Sequence, residues 1–237
     1  MPEQYKKHAR ASIVDQIEQW EKETARLARE GSGRGKRPFV TISRQYGCGG
    51  YETAVALVKL LTGEHTWVAY DRSVIDLLMK DLGLSRKLTE SLTTAAQGQV
   101  ASVFQTSFAD LPPQAAVHKK LAETIRLLAV NGYVAVVGRG GNVITRDLPG
   151  GYHVRLVAPM EWKVERLCRL SGMKPREAEK QILEKDRMRD NFFREFLKFD
   201  TADPVNYDMV INNSSFGADE AAAIITGGMK ARGLLPR

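Results

Sequence analysis

Cysteine is scarce. The 237-residue chain has two, Cys48 and Cys168, which fit no metal-ligand spacing and give no disulfide framework, so a reducing, cytoplasmic setting is expected. No apolar run reaches the ~20 residues that a membrane-spanning helix needs. Met1-Pro2-Glu3-Gln4-Tyr5-Lys6-Lys7 has no apolar segment behind its charges, which argues against a secretory signal. The four histidines, His8, His65, His118 and His153, are scattered without ligand spacing, and no protein-built metal site is expected. Internal repeats and low-complexity segments are also missing.

What is present suits one α/β domain with room for a helical appendage. Hydrophobic residues make up 43% and charged residues 27% of the chain, ample for a single core. The net charge of +7 favours anionic partners. Its basic residues alternate with acids instead of forming one block, which weighs against nucleic acid.

The organising stretch is Phe39-Val40-Thr41-Ile42-Ser43, a β-branched apolar run, followed by Arg44-Gln45-Tyr46-Gly47-Cys48-Gly49-Gly50. The chain then takes helical periodicity from Tyr51 to Leu61. A strand, a glycine turn and a helix N-terminus in that order make a cradle for phosphate, because backbone N–H groups converge there and glycine lets the backbone approach an anion. The Gly-x-x-x-x-Gly-Lys-[Ser/Thr] pattern is not met. Gly50 and Tyr51 follow Gly49 where a lysine and a hydroxyl residue belong. The competing reading is an ordinary tight turn.

Upstream, residues from about 5 to 30 read as a separate amphipathic helix, with Ile13, Ile17, Trp20, Thr24 and Leu27 on one face. Such a stripe either packs back on the domain or serves self-association. Residues 31–37 read as a glycine-rich linker and residues 38–237 as the main domain. Downstream, Trp67 to Tyr70 reads as a second strand. Asp71 at its end is expected to cap the next helix, to serve the site, or both. Ser85 to Ala96 is a further candidate helix, and Gln97 to Pro113 reads as a helical insertion closing over a substrate. Gln114 to Asn131 is a better helix, stopped by Gly132.

Tyr133 to Val137 has the continuous apolar character of a strand buried on both faces. It ends in Gly138-Arg139-Gly140-Gly141-Asn142. A second glycine cluster at a strand end, here with an arginine whose planar fork suits phosphate oxygens, favours a functional over a packing role for Arg139. Tyr152 to Ala158 reads as the fourth strand, and a helix from Pro159 to Leu170 carries Arg166. A long charged helix follows from about 176 to 197 with Lys185, Asp186, Arg187 and Arg189. A charge-rich helix is commonly a solvated face, yet this density of cations also suits a segment that covers phosphates. Tyr207 to Asn212 is the last strand, before a closing helix over Gly217 to Met229. The alternation predicts a parallel sheet with helices on both faces.

Three segments in this order, Val40 to Glu52, Val136 to Asn142, and Ala158 through Arg189, resemble the P-loop nucleoside monophosphate kinases, most closely the cytidylate kinase-like family. The likeness runs over roughly residues 38 to 230 and omits the N-terminal helix. It implies a P-loop NTPase-type three-layer sandwich with a five-stranded parallel sheet and a helical lid. It further implies transfer of a phosphoryl group from ATP, with Mg²⁺, to a nucleoside monophosphate, first of all CMP or dCMP. By position, Arg44, Gly47, Cys48, Gly49, Gly50, Tyr51 and Glu52 would hold the donor, with Arg166 near its base or the lid and Asp71 at the start of the acceptor site. Arg139 would bind the acceptor phosphate, and Lys185, Arg187 and Arg189 would reach the transferring group. Gly50 stands where a cytidylate kinase has its loop lysine, so Arg44 is the candidate replacement charge, Glu52 a candidate metal ligand and Thr53 a candidate late hydroxyl. A nucleotide-binding regulator without turnover, and a kinase of another small metabolite, are the alternative readings.

Overall fold

The computed structural model describes residues 3–30, 37–92, 116–196 and 198–236. Strands β1 (Phe39–Arg44), β2 (Val68–Tyr70), β3 (Val134–Val137), β4 (Gly151–Val157) and β5 (Met209–Asn212) form one parallel sheet in the order β2-β3-β1-β4-β5. The five-stranded parallel α/β sandwich expected from the alternation is the fold observed. Side-chain alternation along each strand divides the core in two. Phe39, Tyr70, Val134 and Val136 face one layer, with helices α1 (Glu3–Glu30), α3 (Arg72–Lys80), α4 (Leu82–Glu90) and α5 (Ala116–Asn131). Val40, Ile42, Ala135, Val137, Val154 and Leu156 face the other, with α2 (Gly50–Leu61) and α9 (Ala218–Ala231). A one-turn helix α6 (Gly141–Ile144) follows β3. Helices α7 (Met160–Ser171) and α8 (Pro175–Phe196) lie between β4 and β5 in the chain.

The N-terminal helix does not stand apart from this sandwich. Ile13, Ile17 and Trp20 on α1 are fully buried in the same cluster as Phe39 and Tyr70. Gln16 accepts a hydrogen bond from the Tyr70 hydroxyl at 2.7 Å and donates to the Tyr133 carbonyl at 2.9 Å. Thr24 donates to the Ser91 carbonyl at 3.1 Å, and Glu23 pairs with Arg37 at 3.0 Å. The expected apolar stripe is thus occupied within the chain.

Asp71 caps α3, its Oδ1 accepting from the Val74 N–H at 2.9 Å. The expected helix starting at Ser85 begins earlier, at Leu82, because Asp81 accepts from the Leu84 N–H at 3.1 Å and starts a new helix there. It ends at Glu90, short of the expected Ala96. Residues 31–36 of the expected linker and the expected insertion over 97–113 lie outside the described residues. No helix among the described residues is long and apolar enough to cross a membrane.

Candidate active site

The register of the central strands sets two glycine turns side by side. Ile42 of β1 is level with Val137 of β3, and the Gly138 N–H donates to the Ile42 carbonyl at 2.9 Å. Beyond that line, β1 runs into Gln45 to Gly49 and β3 into Arg139 and Gly140. In the first turn Gly47 and Gly49 have φ of +87° and +72°, the left-handed region where a side chain is strained. Helix α2 begins at Gly50 with no side chain capping its N-terminus. A helix N-terminus of this kind favours an anion in front of it.

Arg44 fills the space between the two turns. Its aliphatic arm runs past Gly50, where a Cβ would lie 3.1 Å from Cγ and Cδ. Its guanidinium crosses Gly138, where a Cβ would come within 1.9 Å of Nη1. Two glycines thus make room for one arginine, and one of them holds the position of the missing loop lysine. Burial, with the neighbouring Arg189 as the second cause, lowers the Arg44 guanidinium to about 10. It stays charged at neutral pH. We expect Gly138→Ala to push the Arg44 guanidinium out of line and to lower turnover about 10²-fold, as misplacement by about an ångström does. Wild-type kinetics in a folded Gly138→Ala protein would show that Arg44 needs no such channel.

Helix α8 closes over the first turn. Asp186 accepts from the Tyr46 N–H at 2.7 Å and from Arg189 at 2.9 Å. Arg189 also donates to the Arg44 carbonyl at 2.9 Å. From α7, Arg166 donates to the Gly47 carbonyl at 3.3 Å and pairs with Glu52 at 2.6 Å. Under the turn, Cys48 is fully buried, and burial pushes its thiol up to about 11, so it is a packing residue and not a nucleophile at neutral pH. Asn213, just past β5, donates to the Cys48 carbonyl at 2.7 Å and ties the turn to the closing strand.

Two cavities meet here. The smaller, about 220 Å³, is formed by the first turn with Glu52, Arg166, Arg44 and Arg189. The larger, about 380 Å³, extends from Ser43 and Gly138 toward α5 and α8. Arg44 and Arg189 line both. Arg72, Arg139 and Lys185 add three more cations to the larger cavity, and no described carboxylate lines it. Its far wall is apolar, with Leu121, Ile144, Phe192 and Phe193. Arg139 itself has a positive φ of 54° and pairs with Asp76, which also meets Arg72 at 3.7 Å. Burial lowers the Arg139 guanidinium from its ordinary value while Asp76 opposes that shift. Asn142 is buried beside it, and its Nδ2 has no partner among the described residues.

Most of the expected site residues are therefore gathered at one place. Arg187 is not: it is exposed and lines neither cavity, since one residue's turn of the helix carries it away from the face that holds Asp186 and Arg189. Tyr51 contributes its place in the first turn of α2, while its side chain lines a groove with Ala9, Trp67 and Val74. Asp71 is a helix cap whose charge acts on Arg44 without lining either cavity. The Thr53 hydroxyl donates to the Gly49 carbonyl at 3.1 Å, and Thr53 is buried and lines neither cavity. Residues that sequence reasoning passed over are Lys163, Asp76, Asn142 and the role of Asp186. Asp76 had a local signal, an acid four residues after Arg72 on one helix. Lys163 and Asp186 had none, because they reach the turn from distant helices.

The chain was compared with known proteins. The profile of the Cytidylate kinase-like family matches residues 39–215. A cytidylate kinase of Ignicoccus hospitalis is 28% identical over 106 residues, 41% of this chain and 62% of that protein. A uronate isomerase of Corynebacterium glutamicum is 25% identical over 153 residues, 62% of this chain and 30% of that protein. The chain thus spans less than two thirds of the length of either relative. Among solved structures, an uncharacterized protein from Eubacterium ventriosum superposes with a TM-score of 0.66 at 20% identity, over 83% of this chain and 100% of that one, a likeness of fold.

Proposed function

Because the chain belongs to the cytidylate kinase-like family, we propose that it transfers the γ-phosphoryl group of ATP to a nucleoside monophosphate, with CMP and dCMP the first candidates. The observation that carries this reading is the pair Arg44 and Arg189, which line both cavities where they meet. Phosphoryl transfer asks a protein for cations and N–H donors on the moving group and for exclusion of water, with little covalent chemistry. In this reading the donor phosphates lie on the N–H groups from Gly47 to Tyr51. Arg166 lies beside them, and the acceptor phosphate lies against Arg139 in the larger cavity. The transferred group passes between the two guanidiniums. Helix α8 keeps water out and brings Arg189 and Lys185 to the same point.

Mg²⁺ is bound in such reactions by phosphate oxygens, water and one or two protein oxygens. No cluster of three metal-ligating side chains exists among the described residues. Glu52, which lines the donor cavity and is now paired with Arg166, is the carboxylate suited to it. When bound, the ion neutralises charge that develops between the phosphates.

The test is ADP release from ATP and Mg²⁺ with CMP, dCMP, UMP, AMP and GMP in turn. Stimulation by a pyrimidine monophosphate supports the reading and names the acceptor. ATP binding without stimulation by any of the five moves the assignment to another metabolite or to a nucleotide-binding regulator. Arg139→Ala is expected to lower kcat/KM for the acceptor at least tenfold, about 1.4 kcal/mol. Unchanged kinetics in that variant would remove Arg139 from the acceptor site.

A further inference from the structure

The residue of helix α7 that is fully buried is a lysine. Lys163 is 4% exposed, while its helix neighbours Val164 and Leu167 stay partly exposed. A buried ammonium is costly unless close partners satisfy it, and those of Lys163 are loose. Its Nζ lies 3.4 Å from Gln45 Oε1 and 3.7 Å from Asp186 Oδ2. Its stem packs under the glycine turn, with Cβ 3.4 Å from where a Cβ on Gly47 would be. The charge therefore sits beside the turn on Gln45 and Asp186, and it lines neither cavity while Asp186 covers it.

The anion that Lys163 faces is itself placed as a phosphate oxygen would be. The Asp186 carboxylate takes the Tyr46 N–H at 2.7 Å and an Arg189 N–H at 2.9 Å, and stands between that amide and the ammonium. A backbone N–H of the turn, an arginine and a lysine converge on it. This is the donor set of an oxyanion site, filled by a side chain of the covering helix.

We propose that Lys163 is a ligand of the donor's terminal phosphates, supplied from α7 in place of the absent loop lysine, and that Asp186 holds its place until the nucleotide arrives. The inference rests on the phosphoryl-transfer reading, and its ligand class is a nucleoside di- or triphosphate. Entry of the phosphates displaces Asp186 from the Tyr46 amide and leaves Lys163 and Arg189 facing the new anion.

Calorimetry with ATP, ADP and AMP on the full chain tests this. Lys163→Met is expected to weaken ATP and ADP at least tenfold and AMP less than threefold, and Lys163→Arg is expected to restore ATP to within threefold of wild type. A folded Lys163→Met protein with wild-type ATP affinity overturns the proposal, as does an equal loss for ATP and AMP, which marks a structural lysine. If Lys163→Met does not fold, Asp186→Asn decides. Removing the competing charge is expected to tighten ADP at least threefold, and unchanged or weaker binding overturns the proposal. A wild-type protein that binds neither ATP nor inorganic pyrophosphate overturns the phosphoryl-transfer reading and this inference together. A wild-type protein that binds both while the variants behave as wild type sinks this inference alone.

Discussion

Replacing Arg44 with alanine is expected to lower kcat/KM about 10³-fold, some 4 kcal/mol of transition-state stabilisation. The side chain lines both cavities, with Arg189 as its neighbour there, and it alone lies across two glycines that accept no Cβ without contact. Its loss removes a fixed cation from a site where water is scarce and where each charge counts for more than in bulk solvent. Arg44→Lys is expected to recover only part of the activity. The environment that brings the guanidinium to about 10 would carry an ammonium, ordinarily at about 10.4, toward neutrality. A lysine also lacks the planar fork of donors that lies across the two glycines. Steady-state kinetics on the three proteins check this. Activity of Arg44→Ala within tenfold of wild type would return the catalytic charge to another residue.

Trp20→Ala is expected to destabilise the whole domain by about 3–5 kcal/mol, the usual range for deleting a buried aromatic residue. Trp20 is completely buried in the cluster that includes Phe39, Tyr70 and Leu128. Its indole Nε1 has no hydrogen-bond partner among the described residues. Trp20→Phe therefore loses no polar contact and leaves a smaller cavity than alanine, and is expected to cost less, about 1–2 kcal/mol. Thermal melts of the two variants separate the possibilities. For a domain of this size the alanine variant should melt about 10 °C lower. A melting temperature equal to wild type would mean that α1 is dispensable to the sandwich.

The parts of the fold legible in the sequence are those whose signals are local. The β1 turn and α2 follow from a β-branched run, glycines and helical spacing within about twenty residues. The buried β3 run and the Gly-Arg turn after it are equally compact. What was not legible depends on chain segments far apart. The stripe on α1 announces that something covers it, without saying that the cluster of Phe39 and Tyr70 does. The break between α3 and α4 turns on one cap, Asp81, shortly before the Ser85 at which the sequence suggests a new helix. At the site, Arg44, Arg139 and Arg166 are legible because each borders a glycine turn or falls in a familiar spacing. Lys163 and Asp186 lie 118 and 140 residues beyond the turn residues that they meet. Nothing in a charge-rich helix distinguishes the face that turns inward. Arg187, one step along the same helix, shows how little the pattern alone decides.

The docking of α1 has a consequence for how the chain reaches its fold. During synthesis α1 leaves the ribosome ahead of everything it binds. Gln16 waits for Thr66 and Tyr133, 50 and 117 residues later, and Thr24 waits for Ser91, 67 residues later. Until then Ile13, Ile17 and Trp20 form an apolar face without its cover. Contacts of such long separation are slow to close, and uncovered apolar surface invites aggregation. Helix α1 is thus made well before the segments that secure it, and the yield of folded protein should depend on what shelters that face while β3 is still being translated.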